Sequence, residues 1–360
     1  MKNSISTIGS HSALEVSEGA RSEGFRTIVA CQQGRENVYL GYYKTRKRGK
    51  EEVGVIDEVL LMPKFANIVE DKYQKYLLDR NAIFIPNRSF SVYVGYDNIE
   101  KKFHVPIFGN KYLLRAEERD QPNNQYDLMK KAGMNYPREI SSPEKINAPC
   151  IVKVNEKQRK YERAFFVATS PDEYEKKSQH LLKDDKITEE DLKKAKIEEF
   201  IIGAPFNFNF FYSKVHEELE LMGVDMRRQT NLDGYLHLPA DIQLELLKTR
   251  EPRNIEAGHI ACTVRESLLQ NVFEQAEKLV KSAEKQYKPG IIGPFALQGA
   301  IEERDGKERF VTFDISFRIP GSPGTRFTPY SGYIFGETMS FGRRIAKEIK
   351  EAKKIDQITS

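Results

Sequence analysis

The chain has 360 residues, 39% of them apolar, with 57 basic against 53 acidic side chains and a net charge of +4. That length exceeds what one core usually serves and predicts two or three subdomains, while interspersed charge of both signs argues against a nucleic-acid or membrane-surface partner. Cys31, Cys150 and Cys262 are isolated, which excludes a disulfide framework or a zinc spacing, and no apolar run nears the roughly 18 residues of a bilayer span, so a soluble cytoplasmic protein is expected.

In chain order, Ser4–Ile8 reads as a short strand, 9–12 as a turn, and Ala13, Leu14, Val16 and Ala20 as one face of a helix that Gly24 ends. Arg26–Cys31 is the next strand, so the chain opens as a βαβ unit with a parallel sheet. Ala82–Ile85 is a further buried strand, followed by a turn at Pro86–Ser89, a short helix from Phe90 and a strand at Val105–Phe108. The polar stretch 115–126 marks a first boundary. Beyond it come strands at Ile151–Val154, Ala164–Thr169 and Ile197–Ile202, with helices starting near Pro171 and Thr188. Strands at Phe206–Tyr212 and Leu219–Val224 precede helices over Arg265–Glu284 and Phe341–Ala352. Between those helices, Pro294–Glu302 and Arg309–Ile319 flank Asp305-Gly306, a hairpin signal.

Five constellations can carry chemistry. Gly9-Ser10-His11-Ser12 sits at a strand-to-helix turn, where free amides attract anions; Ser10 or Ser12 as a simple N-cap explains it equally. Ile85-Pro86-Asn87-Arg88-Ser89-Phe90 follows a second parallel strand, and ligands collect beyond the carboxyl ends of such strands; an ordinary loop is the alternative. Lys153 lies in an apolar strand ahead of Lys157, Arg159, Lys160 and Arg163, a cluster able to hold a polyphosphate, or a solvated hairpin. Glu198 and Glu199 lead an apolar strand toward Gly203, a hinge able to read an adenosine, or an exposed edge. Folding about Asp305-Gly306 brings Gln298 and Asp314 nearly opposite, with Asp314, Ser316 and Arg318 on one face. One carboxylate and one amide oxygen suit a hard cation whose other ligands are phosphates and water. The isolated histidines 104, 180, 216, 237 and 259 show no metal spacing, and neither a P-loop nor a G-x-S-x-G turn occurs.

Taken in order, these segments resemble one archaeal family, the 5-formaminoimidazole-4-carboxamide ribonucleotide (FAICAR) synthetases of the ATP-grasp superfamily. The resemblance runs nearly end to end. It is carried by Gly9–Leu14, Ile85–Phe90, Val105–Asn110, Ile197–Phe200, Arg228–Gly234, Val264–Leu269, Gly293–Gln298, Phe313–Ser316, Pro329–Ser331 and Gly342–Ala346. It implies an α/β (α+β) fold with a Rossmann-like N-terminal domain over 1–120 and two ATP-grasp subdomains over 121–204 and 205–360. The implied reaction joins formate to the amine of aminoimidazole carboxamide ribotide (AICAR), consuming ATP with Mg²⁺ or Mn²⁺, through formyl phosphate. The resemblance places His11 and Arg318 in catalysis, Ser10, His11, Ser89 and Asn231 around the ribotide, Lys153, Glu198 and Glu199 on ATP, and Gln298 and Asp314 on the metal. It also implies a homo-oligomer. The chain departs from the family pattern in four places. Residues 155–164 hold no glycine where the family has a glycine-rich loop, Asn87-Arg88 replaces His-Gly, Asp314 replaces Glu, and 319–325 is atypical. A divergent ligase with another amine or carboxylate, and a weakly catalytic nucleotide- or ribotide-binding paralogue, are the alternative readings.

Overall fold

The computed structural model describes residues 3–119, 121–154, 164–249 and 256–360. The basic loop expected to cover phosphates, 155–163, lies outside them.

The N-terminal sheet is parallel, with strands in the order Glu58–Met62, Arg26–Gln32, Ser4–Ile8 and Ala82–Phe84. Every residue of Ser4–Ile8 is buried, as a strand covered on both faces requires. Helix Ala13–Ser22 makes the crossover to Arg26–Gln32. The chain then steps outward to Glu58–Met62 and returns, through helix Asp71–Leu78, to the opposite side of Ser4–Ile8. The strand order therefore reverses beside Ser4–Ile8. A crevice opens at such a reversal beyond the strands' carboxyl ends, where the turns at 9–12 and 85–89 both lie.

A second, antiparallel sheet has the order Ala164–Ala168, Cys150–Val154, Lys196–Glu199 and is backed by helix Pro171–Lys183, whose N-cap Ser170 accepts from the Glu173 amide at 3.2 Å. A third, five-stranded and antiparallel, runs Glu256–Cys262, Glu218–Gln229, Ala204–Ser213, Gly293–Arg304, Lys307–Ser316. Period-two alternation gives it two unlike faces. Phe208, Phe210, Phe295 and Leu297 pack into a core with Leu268, Val272, Ala276 and Leu279 of helix Glu266–Gln286, spaced at three and four residues. Asn207, Asn209 and Gln298 alternate with these and take the other face.

The last helix, Phe341–Glu351, returns to the first. Gly19 and Gly342 let the backbones meet: a Cβ on Gly19 would lie 1.9 Å from the Arg343 amide nitrogen, and one on Gly342 2.1 Å from the Glu15 carbonyl oxygen. This contact, with the Ser12 Oγ donating to the Pro320 carbonyl at 2.6 Å, ties the first turn to the segment leaving the five-stranded sheet.

The expected strand at Val105–Phe108 is not formed as such. Ile107 makes one parallel bridge to Phe84, and the C-terminus supplies its other partner, with the Ile107 amide donating to Ser360 at 3.1 Å and the Ser360 amide donating back at 2.9 Å. Pro106 has no amide hydrogen to extend a ladder. The strand expected to run to Ile202 ends at Glu199, where the Phe200 amide donates to the Pro149 carbonyl.

Candidate active site

The two βα turns are clasped together. Asn87 caps the helix Arg88–Val94, accepting from the Phe90 amide at 3.2 Å. Its amide nitrogen donates to the Ile8 and Ser10 carbonyls, each at 3.1 Å. Ser89 Oγ donates to Ser10 Oγ at 2.8 Å. Ser10, His11 and Ser89 thus edge one crevice, with His11 held at φ +43° at its exposed lip. Left-handed backbone at a non-glycine residue is a strained state found at ligand clamps. The backbone of Asn231 lies in helix Thr230–Leu236; its side chain lies outside the described groups.

On the polar face of the five-stranded sheet, one transverse row runs Asp225, Asn207, Gln298, Asp314 across four strands. Gln298 and Asp314 are direct partners, as the Asp305-Gly306 turn predicts, both turn residues having positive φ. A bulge follows at Gln298/Gly299, where the register passes from Asp314 to Thr312 and leaves Phe313 over. Such bulges re-aim side chains beside active sites. This one frees the Phe313 carbonyl, to which Lys153 Nζ donates at 3.5 Å from the neighbouring sheet. Lys153 and the Gln298/Asp314 pair therefore face one another across the same space.

Lys153 is 7% exposed and Glu198 2% exposed, and the two form an ion pair. Tyr126 Oη accepts from Lys153 at 3.1 Å and donates to Glu198 at 2.9 Å. Burial lowers the lysine's proton affinity, and Glu198 opposes that fall. Glu199 points the other way along the strand and pairs with Arg304.

Asp314 Oδ1 accepts from Gln125 at 2.9 Å and from Arg119 at 3.3 Å. Burial would raise this carboxyl, but Arg119, Lys153, Gln125 and Arg227 together hold it below the ordinary range. The segment before Tyr126 also straps the outer strand: Gln125 accepts from the Ile315 amide at 2.6 Å and Glu117 from the Phe317 amide at 2.8 Å. Glu117 lies 3.4 Å from Arg318 and 3.4 Å from Arg88, so both arginines gather between the turns and the hairpin.

At the other end of the row, buried Asp225 accepts from Asn207 at 2.9 Å and Asn209 at 2.6 Å, and pairs with His259 Nδ1. His259 Nε2 meets Glu256 at 3.0 Å. Burial would lower this histidine, but the two carboxylates raise it to about 9. Glu256 in turn lies 3.2 Å from Arg227 Nε, and Arg227 Nη2 donates to Gln298 Oε1 at 2.5 Å.

Arg119, Gln125, Tyr126, Asp225, Arg227 and Glu256 are not candidates on sequence grounds, and His259 enters there only as an isolated histidine without metal spacing. The alternation Asn207/Asn209 and Asp225/Arg227 within otherwise apolar strands was the available signal for some of them. Among the described residues no three His, Cys, Asp or Glu side chains converge into a metal cage. The donor chemistry nevertheless fits a hard cation: an amide oxygen and a carboxylate oxygen lie on paired positions of adjacent strands, and each now receives a guanidinium that a cation would displace. No described helix is long and apolar enough to cross a membrane.

Comparison with known proteins identifies the relatives of the chain. A family model described as "Domain of unknown function (DUF1297)" matches residues 173–360, and one described as "Protein of unknown function (DUF1246)" matches residues 5–140. A 5-formaminoimidazole-4-carboxamide-1-(β)-D-ribofuranosyl 5'-monophosphate synthetase of Methanopyrus kandleri is 40% identical over 350 residues, 97% of this chain and 92% of its own. The protein of the same name from Methanocaldococcus jannaschii is 38% identical over 356 residues, covering 98% and 93%. The crystal structure of an IMP biosynthesis protein PurP from Thermococcus kodakaraensis superposes with a TM-score of 0.72 at 26% identity, over 99% of this chain and 100% of that one. Phosphoribosylamine–glycine ligase from Thermotoga maritima shares the fold, with a TM-score of 0.58 at 15% identity over 94% of this chain and 75% of its own.

Proposed function

This chain belongs to the FAICAR synthetase family, and from that premise we propose that it joins formate to the amine of AICAR at the expense of ATP, a step of purine nucleotide synthesis. It is an ATP-dependent carbon–nitrogen ligase with the ATP-grasp fold. In the route we assign, a formate oxygen attacks the γ-phosphorus of ATP and ADP leaves. The ribotide amine then attacks the formyl carbon, loses a proton, and expels phosphate. Holding amine and acyl phosphate together supplies much of the rate as effective molarity.

The observation that carries this reading is the facing of Lys153 and the Gln298/Asp314 pair across one space, beside a crevice where Ser10 and Ser89 are joined. In the assignment, the ribotide lies on Ser10, His11, Ser89 and Asn231. Lys153 lies along phosphate oxygens, and Glu199, with Glu198 behind it, borders the adenosine. Arg318, backed by Glu117, offsets charge that develops between the two substrates. Gln298 and Asp314 would hold a magnesium or manganese ion, which supplies charge neutralisation between phosphate oxygens. We assign the ribotide to residues 1–120 and the nucleotide to the subdomains 121–204 and 205–360.

The test is ADP release measured with each substrate omitted in turn. Release that needs both formate and AICAR is expected; release indifferent to either refutes the substrate assignment. One observation favours a second reading. Arg227 and Arg119 sit on the two metal-ligand side chains, and Lys153 is neutralised by Glu198, as in a ribotide-binding protein with little turnover. Calorimetry separates the readings: Mg-ATP binding supports the ligase, and ribotide binding without it supports the alternative.

A further inference from the structure

The ligase reaction needs a place for the small carboxylate between the amine and the γ-phosphate. Four arginines border the site, and all four are partnered. Arg88 lies between Glu117 and Glu118, Arg318 against Glu117, and Arg119 on Asp314. Arg227 differs. Its Nε side is backed by Glu256 at 3.2 Å, while Nη2 reaches the neutral amide oxygen of Gln298 at 2.5 Å. Arg227 comes from the strand on the far side of Gln298 from Asp314, so it stands at the edge of the metal-ligand pair, the place assigned here to the carboxylate.

The support behind Arg227 is built in depth. Arg227 and His259 are cross-strand partners. His259 is gripped between Glu256 and Asp225, and Asp225 is fixed by Asn207 and Asn209 in the sheet. A side chain whose partners are themselves locked holds its geometry without cost at the moment of reaction.

We propose that Arg227 binds the one-carbon carboxylate substrate, and that Glu256, His259 and Asp225 are positioning residues for its guanidinium. This rests on the ligase reading above. A planar fork matches a carboxylate in a way a lysine does not.

The test is the KM for each substrate in Arg227→Gln, Arg227→Lys and His259→Gln. Arg227→Gln is expected to raise the formate KM about 10- to 100-fold, the loss of one charge-assisted pair. The KM values for ATP and AICAR should stay within about threefold. Arg227→Lys should fall between, and added guanidinium ion should restore part of the loss in Arg227→Ala. His259→Gln should raise the formate KM alone; a purely structural role would instead lower the melting temperature and move all three KM values together. An unchanged formate KM in Arg227→Gln, or a raised AICAR KM in its place, overturns the proposal, the second outcome making Arg227 a ribotide-phosphate ligand. Line broadening of ¹³C-formate, with a non-hydrolysable ATP analogue present, gives a readout independent of turnover. Should the wild-type protein show no formate-dependent ADP release, the ligase reading fails. Broadening present in wild type and lost in Arg227→Gln still supports the site, and broadening equal in both, or absent from both, removes it.

Discussion

Lys153 and Glu198 are shut away from water together, and that makes their structural and chemical roles separable. Removing one partner strands a buried charge, whereas replacing both with apolar groups is often neutral. Lys153→Met is therefore expected to lower stability by roughly 3–5 kcal/mol, and Lys153→Met/Glu198→Leu to recover most of it. Urea unfolding checks both. If Lys153 serves the phosphates, the double variant stays inactive although refolded to full stability; recovered turnover would make the pair purely structural. Asp314 gives a milder probe. Asp314→Asn keeps an oxygen for Gln125 and Arg119 but removes the charge. ADP release should drop at least about 100-fold, as when an electrostatic group at a reacting centre is lost, with the thermal midpoint nearly unmoved.

At the scale of elements, the junction of the first and last helices is pH-sensitive. Glu15 Oε1 accepts from the Phe341 amide at 3.0 Å, so a carboxyl on one helix caps the start of the other, while Oε2 is buried with no hydrogen-bond partner among the described residues. Burial raises this carboxyl to about 7, with Glu18 adding to the rise and the Phe341 amide and Arg326 opposing it. Because the folded-state value exceeds the ordinary one, the contribution to stability is complete below about pH 4.5 and is lost as pH climbs through about 7. The span corresponds to a change on the order of 3 kcal/mol. Glu15→Gln cannot ionise, so its melting temperature relative to wild type should rise between pH 5 and pH 8. A constant difference across that range would show that Glu15 is ionised in the fold. His259 has the same sign: its stabilisation is full below about 6.5 and fades as pH rises through about 9.

For the whole molecule, local signals were legible and long-range ones were not. The turn chemistry of Asp305-Gly306 sets the register of its hairpin, so the pairing of Gln298 with Asp314 could be read directly from the chain. The βα turns at 9–12 and 85–89 are legible for a similar reason, since each follows a short strand-forming run. That Asn87 would bridge them was not, because it depends on which strands become neighbours. Lys153 stands out as a charge in an apolar strand, but its pairing with Glu198 does not, since spacing along one strand says nothing of the diagonal across two. Arg119 reaches Asp314 over 195 residues and Asp225 reaches His259 over 34, distances at which sequence pattern carries no register. Pro106 acts in another way: its apolar neighbours read as a strand, while its missing amide leaves only isolated bridges, Ile107 to Phe84 and Phe108 to Thr359.

The proposed route requires that formate be activated on ATP between two β-layers before the ribotide amine reaches it. The most direct measurement is the fate of oxygen from [¹⁸O]formate. One ¹⁸O atom is expected in the inorganic phosphate for each ADP and each formamido ribotide formed. Phosphate free of label, with the ribotide product still accumulating, would contradict the route.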